Sequence, residues 1–417
     1  MIVAGKRKVP ALPLNGIDVM LDSWADYILV YPYLLDQSRL IASLQAALDI
    51  NPYFSGRKYS KDGVEIFVTG GNEGVLLEFQ QFEVTLPRHF YENEYQGYEL
   101  FCEKGFRELH KFSRSSFKHP LFQIKISEFE NASVLGISVW HSLSDGTTFF
   151  NFIQLISQLY QGLGADICPP DFSRLGEGGG TDVSSALVDF WSAPVAAKEP
   201  ILFKEATFVL SEALVTRIVG EFDCAGFMRY DYIIAHAWKH IVAFMGLAAD
   251  SVVSLYPVYD ARQLTSVGPN YVGNLLCYPS LYLSVQEIAA MELDALSSLI
   301  REGTFDLVVK GDEVLEEIQE IAHFTQQTAK GRYLLKPLYN SMFGSGLLFN
   351  NLMSMPCKQF DFGAGGPSHI DMPLSDPIRF VQIYPSATQP DGVVMKVNLP
   401  AGELDLFAEA YKKELFE

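Results

Sequence analysis

His141, Asp145 and Gly146 form the pattern HxxxDG, which contains side chains suited to proton transfer. An imidazole group has an unperturbed pKa of about 6.5, so a neutral histidine can take a proton from an attacking hydroxyl or amine near neutral pH. The alternative is that His141 only packs and that Asp145 only caps the following helix. The pattern lies between a strand-like segment and an amphipathic helix, where side chains can project into a cleft. His141 is therefore a candidate general base.

A glycine-rich segment near the C-terminal end begins at Asp361 and reads DFGAGGP. Glycines such as Gly363 let the chain turn, and a glycine-rich loop can also bind phosphate through its backbone N–H groups. A phosphate-binding loop of that kind follows a strand and precedes a helix, and neither element is evident around Asp361. A structural turn and a phosphate site both stay open at this point.

Apolar periodicity predicts the elements that position His141. Leucines and alanines at helical spacing predict a helix over 38–49. Two strand pairs are expected, 64–68 with 75–79 and 121–127 with 134–140, because each pair is joined by turn-forming residues. The last of these strands ends directly before His141.

The distribution of these patterns predicts two α/β domains. A helix with one apolar face follows Asp145 and stops at Gly162, and proline and glycine then break the periodicity until about residue 200. We expect an N-terminal domain at 1–165, a crossover linker at 166–203 and a C-terminal domain at 204–417. HxxxDG falls in the first domain and the DFG segment in the last.

Charge and composition exclude several classes of function. The net charge of −19 comes from 50 acidic and 31 basic residues, and such an excess repels nucleic acid and anionic membrane surfaces. Hydrophobic residues make up 48% of the chain, which is typical of a globular protein with sizeable cores. We therefore expect neither a nucleic-acid partner nor a membrane partner.

The cysteines favour a reducing compartment. Cys102, Cys168, Cys224, Cys277 and Cys357 are scattered and never spaced as CxxC, so a disulfide framework or cysteine zinc site is not indicated. No apolar run reaches the roughly 20 residues of a membrane span, and no signal-peptide pattern starts the chain. The expectation is a cytoplasmic protein, and a monomer by default because no interface signal is evident.

One histidine pair raises the question of a metal. His236 and His240 lie four residues apart on a predicted helix, a spacing that can bind zinc. The sequence nearby shows no glutamate or third ligand, so one exposed and one packed histidine is the preferred interpretation. No metal site is predicted.

Several motifs together resemble those of the BAHD acyltransferases, which pair HxxxD near mid-chain with DFGWG near the C-terminal end. The resemblance spans residues 38 to 367 in the family's order, and Ala364 replaces the tryptophan of DFGWG. The motifs that carry it, besides HxxxD and DFGAG, are the SLxxxLxxxPxxxGR-like segment 43–57, the DxR element Asp260-Ala261-Arg262, the YxGN element Tyr271-Val272-Gly273-Asn274, and Pro356.

The resemblance implies a fold and a reaction. It implies two chloramphenicol-acetyltransferase-like domains, each a mixed sheet with helices, and a channel between them. It also implies transfer of an acyl group from an acyl-CoA co-substrate to a hydroxyl or amine of a small, secondary-metabolite-like acceptor, with His141 as base. No permanently bound cofactor is implied. CoA is anionic, and the sequence does not locate the cations that would attract it.

The resemblance also implies roles for the other site residues. Asp145 would form a structural salt bridge with Arg262, while Gly146, Asp361 and Gly363 would support the site without touching the reacting atoms. Asn350 aligns with a family threonine and is the candidate donor to the oxyanion, with Asn351 as the alternative. A turn-forming asparagine pair is the competing interpretation of both residues.

Two other functions stay open. A relative of condensation domains would take its thioester from a carrier protein, and a catalytically silent relative would only bind a small molecule. The DFG segment favours soluble CoA, and intact His141 and Gly146 favour catalysis.

Overall fold

The computed structural model describes the chain except residues 15, 62–64, 87–119, 164–167, 176–179, 181, 190–200, 221–228, 328–332, 375, 388, 390 and 417. Cys102, Cys224, residue 64 and part of the predicted linker at 166–203 lie outside the described residues. Within the described part of the chain, no helix combines the length and apolar character needed to cross a membrane.

The helices follow the apolar periodicity of the sequence. The predicted helix at 38–49 is observed, and its first turn is capped by the Asp36 carboxylate, which accepts a hydrogen bond from the Arg39 backbone N–H at 2.9 Å. In chain order the helices are α1 Ile17–Met20, α2 Gln37–Ile50, α3 Gly146–Gln161, α4 Glu212–Val219, α5 Arg229–Ala243, α6 Val285–Ala290, α7 Leu293–Val309, α8 Gly311–Gln327, α9 Lys336–Phe343 and α10 Ala401–Phe416.

The strands alternate with these helices along the chain. They are β1 Ile2–Val3, β2 Leu12–Leu14, β3 Trp24–Tyr31, β4 Lys58–Lys61, β5 Glu65–Val68, β6 Val75–Gln81, β7 Phe122–Glu128, β8 Ser133–Trp140, β9 Leu187–Asp189, β10 Phe203–Leu210, β11 Val252–Asp260, β12 Leu276–Cys277, β13 Leu281–Ser284, β14 Tyr333–Leu335, β15 Gly346–Asn351, β16 His369–Asp371, β17 Phe380–Pro385 and β18 Val393–Pro400.

Two mixed sheets organise the molecule. The first has the order β1-β6-β7-β8-β3-β16, in which β6 and β7 are parallel and the other pairs are antiparallel. The second has the order β10-β18-β17-β15-β11-β12, and β13 also pairs with β11. β15 lies parallel to both β11 and β17. The predicted pairing of 121–127 with 134–140 is confirmed by the antiparallel register of β7 and β8.

The other predicted strand pair is wrong. β5 pairs with β4 and β2 in a separate three-stranded sheet, whereas β6 pairs with β1 and β7 in the first sheet. Val75 and Leu77 of β6 are fully buried in the core of the first sheet, so burial rather than sequence proximity selects the partners of β6.

Each large sheet has its own hydrophobic core. The first core contains buried residues of β3, β6, β7 and β8 together with α2 and α3. The second core contains buried residues of the second sheet together with α4, α5, α7 and α10. Helices packed on a mixed sheet in both halves match the predicted fold class.

The first sheet also contains a strand from the C-terminal part of the chain. β16 comes from the second half of the chain but pairs with β3, where His369 lies opposite Val30 and Asp371 opposite Ile28. The segment before β16 also contributes Phe360 and Phe362 to the first core. The domain boundaries 1–165, 166–203 and 204–417 stay a prediction. The segment from Phe360 to Asp371 belongs to the C-terminal part of the chain but packs with the first sheet.

Candidate active site

His141 stands where a buried strand ends. All eight residues of β8 are buried, and the chain then enters a short turn over His141–Leu143. The backbone N–H of His141 donates to the Ser23 carbonyl at 2.8 Å, and the Ser142 hydroxyl donates to the Leu21 carbonyl at 3.1 Å. These bonds fix the turn, while the half-buried His141 ring faces a cavity.

The side-chain amide of Asn274 determines which ring nitrogen of His141 is protonated. Its Nδ2 donates to the His141 carbonyl at 2.8 Å and to Asp18 Oδ1 at 3.1 Å. The amide oxygen therefore faces the ring, with Oδ1 at 3.1 Å from Nδ1. Because an amide oxygen can only accept, Nδ1 carries the proton and Nε2 of the neutral ring keeps its lone pair.

Asp18 fixes Asn274 in turn. Its Oδ1 also accepts the Asn274 backbone N–H at 2.8 Å, and the Arg174 guanidinium lies 3.6 Å from Oδ2. Asp18 is only 2% exposed, and burial raises the pKa of its carboxyl against the opposing effects of Arg174 and Asn274. His141, Asn274 and Asp18 form a chain of hydrogen bonds that leads from the cavity into the protein.

Asp145 points away from the cavity and pairs with Arg262, as the resemblance implied. Arg262 Nη1 lies 2.7 Å from Asp145 Oδ2, and Nη2 lies 3.3 Å from Oδ1. Asp145 also accepts the Thr148 backbone N–H at 2.9 Å, which caps α3, and the Leu275 backbone N–H at 3.1 Å. With 1% exposure, the carboxylate is fully occupied by structural bonds.

Arg262 contacts residues from both halves of the chain. Burial disfavours its cation, but the carboxylates of Asp145 and Asp260 outweigh that effect and raise the pKa of the guanidinium. Nη2 also donates to the carbonyls of Tyr271 at 3.0 Å and Gly273 at 2.9 Å. The YxGN element therefore wraps the guanidinium and presents Asn274 to His141.

The two candidate oxyanion donors differ in their contacts. Asn350 and Asn351 end β15, and both line the cavity. Asn351 Oδ1 accepts the Met353 backbone N–H at 3.1 Å and so stabilises the turn after the strand. The amide of Asn350 has no side-chain hydrogen bond to any described residue, which leaves its N–H groups available to a ligand.

The DFG segment forms a turn. Asp361 Oδ1 accepts the backbone N–H groups of Gly363 at 2.6 Å and Gly365 at 2.9 Å, and both glycines have positive φ, 98° and 105°. Neither Asp361 nor Gly363 is among the described residues that line the cavity. Phe360 and Phe362, which flank Asp361, pack in the first core.

The cavity has a volume of about 1450 Å³ and is lined from both halves of the chain. This exceeds the roughly 300–1,000 Å³ of a pocket for one small ligand, so two substrates can meet there. Among its lining residues are the cationic side chains Lys58, Arg229, Arg262 and Arg301. Lys58 pairs with Asp22 at 2.7 Å, and Arg301 pairs with Asp231. The site residues on the wall are His141, Gly146, Arg262, Asn350 and Asn351.

Sequence reasoning missed Asn274 and Asp18 as functional residues. The YxGN element is one of the family's motifs, and its asparagine is the available signal for a residue beside the histidine. Asp18 carries no comparable signal, because it lies 123 positions before His141 and outside the motifs that resemble the family's.

A family model described as “Transferase family” matches residues 33–414, nearly the whole chain. The chain belongs to this family, the BAHD-type acyltransferases. Rosmarinate synthase of Plectranthus scutellarioides is 21% identical over 337 residues, which are 75% of this chain and 76% of that relative.

Solved structures of BAHD-type proteins share the fold. TRI101 of F. graminearum, solved with ethyl coenzyme A, has a TM-score of 0.71 at 14% identity, covering 97% of this chain and 98% of the other. Vinorine synthase has a TM-score of 0.68 at 15% identity, covering 97% and 95%. The family, the chloramphenicol-acetyltransferase-like α/β fold and the prediction of an acyl-CoA-dependent acyltransferase are confirmed.

Proposed function

We propose that this BAHD-type enzyme transfers an acyl group directly from an acyl-CoA thioester to a hydroxyl or amine of a small acceptor, with His141 as general base. The observation that carries the assignment is the hydrogen bond between His141 Nδ1 and Asn274 Oδ1 at 3.1 Å. It leaves Nε2 as the basic atom of a ring that faces the cavity.

The proposed reaction has two steps. His141 Nε2 takes the acceptor's proton as the acceptor oxygen or nitrogen attacks the thioester carbonyl carbon, and the carbonyl oxygen becomes an oxyanion. The C–S bond then breaks, the oxyanion returns to a carbonyl, and the imidazolium gives its proton to the CoA sulfur. The products are the acylated acceptor and free CoA, with His141 neutral again.

Asn350 is the proposed donor to the oxyanion. Its amide lies on the cavity wall without a side-chain hydrogen bond to another described residue, whereas the Asn351 amide oxygen accepts a backbone N–H. One preorganised donor of this kind contributes about 10²–10³ in rate. Asp145, Arg262, Asp361 and Gly363 are proposed to support the site structurally, and Gly146 to keep the wall beside His141 open.

We further propose that the enzyme is a cytoplasmic monomer. Free Cys168, Cys277 and Cys357 suit a reducing compartment. Light scattering on the purified chain measures its mass in solution, and a dimer mass would overturn the monomer.

The test of function is release of free CoA thiol from a panel of acyl-CoAs with mixed alcohol and amine acceptors. Thiol release that requires the acceptor, with a mass spectrum showing the acylated acceptor and no acyl-enzyme, is the expected result. Release only from carrier-bound donors supports the condensation-type alternative. Acceptor binding without release from either donor supports a silent binder.

A further inference from the structure

Three side chains that can bind metal converge where α5 packs against the C-terminal helix α10. His236 and His240 lie one turn apart on α5, and Glu414 faces them from α10. One ligand atom from each lies within 4.8 Å of the others. Glu414 is the third side chain able to bind a metal, and the sequence near the histidines does not show it because it is 174 positions from His240.

We propose that His236, His240 and Glu414 form a Zn²⁺ site that joins α5 to α10. None of the three is among the described residues that line the active-site cavity. The site is therefore separate from acyl transfer, and its presence or absence leaves the proposed function untouched.

The two imidazoles present the same nitrogen to the carboxylate. His236 Nε2 lies 3.3 Å from Glu414 Oε1, and His240 Nε2 lies 2.5 Å from Glu414 Oε2. Zinc binds histidine nitrogen and carboxylate oxygen at about 2.0–2.1 Å in tetrahedral geometry, which places ligand atoms about 3.3 Å apart. The first contact already has that spacing, and the second needs to lengthen by less than about 1 Å.

The outer nitrogens are held by hydrogen bonds. His240 Nδ1 lies 2.7 Å from the His236 carbonyl, which can only accept, so this nitrogen carries a proton. His236 Nδ1 lies 3.0 Å from the hydroxyl of Tyr411, a fully buried side chain. A histidine that binds metal usually donates its other N–H to such a partner, which directs Nε2 at the ion.

The cluster is open to solvent on one side, and its ligand atoms suit zinc. Zn²⁺ would replace the two hydrogen-bond contacts between the Nε2 atoms and the Glu414 carboxylate. His240 is half-buried and Glu414 is exposed, so the ion can enter from solvent. Two imidazoles and one carboxylate suit Zn²⁺, whereas Mg²⁺ and Ca²⁺ prefer oxygen ligands alone.

The surrounding charges allow a cation. Arg217 of α4 is a nearby positive group, and its guanidinium donates to the backbone carbonyls of Glu414 at 2.7 Å and Leu415 at 2.5 Å. It weakens binding somewhat, while the net charge of −19 favours cations over the whole molecule. The first turn of α5 contributes Arg229 and Asp231 to the active-site cavity, so the metal would fasten α10 to a helix of the cavity wall.

The test is Zn²⁺ titration of chelator-stripped full-length protein against a chromophoric competitor, with thermal unfolding as a second readout. The wild type is expected to bind one Zn²⁺ and to gain thermal stability that Mg²⁺ does not give. His240→Gln and Glu414→Gln should each lose affinity by more than about 100-fold, and Tyr411→Phe by about 10-fold, the range for an outer hydrogen bond.

His323→Gln is the matched control, because His323 lies on α8 outside the cluster and its loss should leave Zn²⁺ affinity unchanged. Circular dichroism checks that each variant is folded. Absence of Zn²⁺ binding by the folded wild type would overturn the proposal. Equal affinity of wild type, His240→Gln and Glu414→Gln would do the same, because the ion would then bind elsewhere.

Discussion

Proton transfer at His141 depends on which ring nitrogen is basic, and a neighbouring amide controls this. Asn274 is a positioning residue, since it contacts the ring at 3.1 Å and holds the His141 carbonyl at 2.8 Å. The adjacent Asp18 keeps the amide from flipping by accepting from its Nδ2.

Replacing Asn274 with alanine should lower kcat by about 10²-fold, part of the 10²–10⁴ that general base catalysis contributes. Without the amide the ring can rotate and present either nitrogen. The measurement is steady-state kinetics, in which kcat should fall while KM stays near its wild-type value, because the acceptor still binds. A loss of kcat that disappears after correction for the folded fraction would show that Asn274 is merely structural.

The asparagine pair at the end of β15 offers a matched comparison of oxyanion donors. Asn350→Ala should lower kcat by about 10²–10³ with little change in KM, because the bond to the oxyanion exists only in the transition state. Asn351→Ala should mainly lower stability, because its side chain holds the Met353 N–H. Steady-state kinetics of both variants shows which asparagine is the oxyanion donor. A larger loss of kcat in Asn351→Ala than in Asn350→Ala would assign that role to Asn351.

Elements from both halves of the chain meet at one buried ion pair. Asp145 caps α3 in the first half, and Arg262 follows β11 in the second. Their contact holds the strand end that carries His141 against the YxGN element that carries Asn274.

Asp145→Ala should therefore lose about 3–5 kcal/mol of unfolding free energy, since the buried Arg262 cation loses its buried partner and keeps only the more exposed Asp260 carboxylate. Asp36→Ala is the matched control, because it removes the exposed cap of α2 alone and should cost about 0.5–2 kcal/mol. Urea denaturation measures both. Equal losses would mean that the ion pair adds nothing beyond helix capping.

The edge strand β16 gives a pH-dependent contribution to stability. Burial lowers the pKa of His369 to about 4. Between pH 6.5 and 4 the unfolded chain gains a proton at this residue that the folded chain refuses, so stability must fall as the pH falls through this window. Burial raises the pKa of Asp371 to about 7, which acts in the opposite direction.

Comparing wild type with His369→Gln isolates the histidine, because Asp371 is present in both. The loss of unfolding free energy from pH 6.5 to 4 should be smaller in the variant by on the order of 2 kcal/mol. Urea titrations at several pH values provide the curves. Parallel curves for the two proteins would show that His369 keeps its ordinary pKa when folded.

At the scale of the whole molecule, the sequence predicts local elements better than it predicts which distant strands pair. The helix at 38–49, the strand pair before His141 and the glycine stop at Gly162 follow from periodicity and turn chemistry, which depend on neighbours in sequence. The pairing of β5 with β6 was wrong, because burial against distant strands selects strand partners.

The same limit applies to the site. His141 and the pairing of Asp145 with Arg262 could be predicted because motifs mark them. Asp18 behind Asn274, the return of β16 to the first sheet and Glu414 beside His236 and His240 depend on contacts between positions more than 100 residues apart. No local pattern encodes such contacts.

The cavity between the two halves has His141 on its wall and is large enough for a donor and an acceptor. The most direct test compares acceptor-dependent thiol release by wild type and His141→Ala, with acyl-CoA binding measured by calorimetry in both. We predict that the variant stays folded, binds acyl-CoA with unchanged affinity and loses at least about 10²-fold of its turnover. Turnover within a few-fold of wild type in a folded His141→Ala protein would contradict its role as the general base.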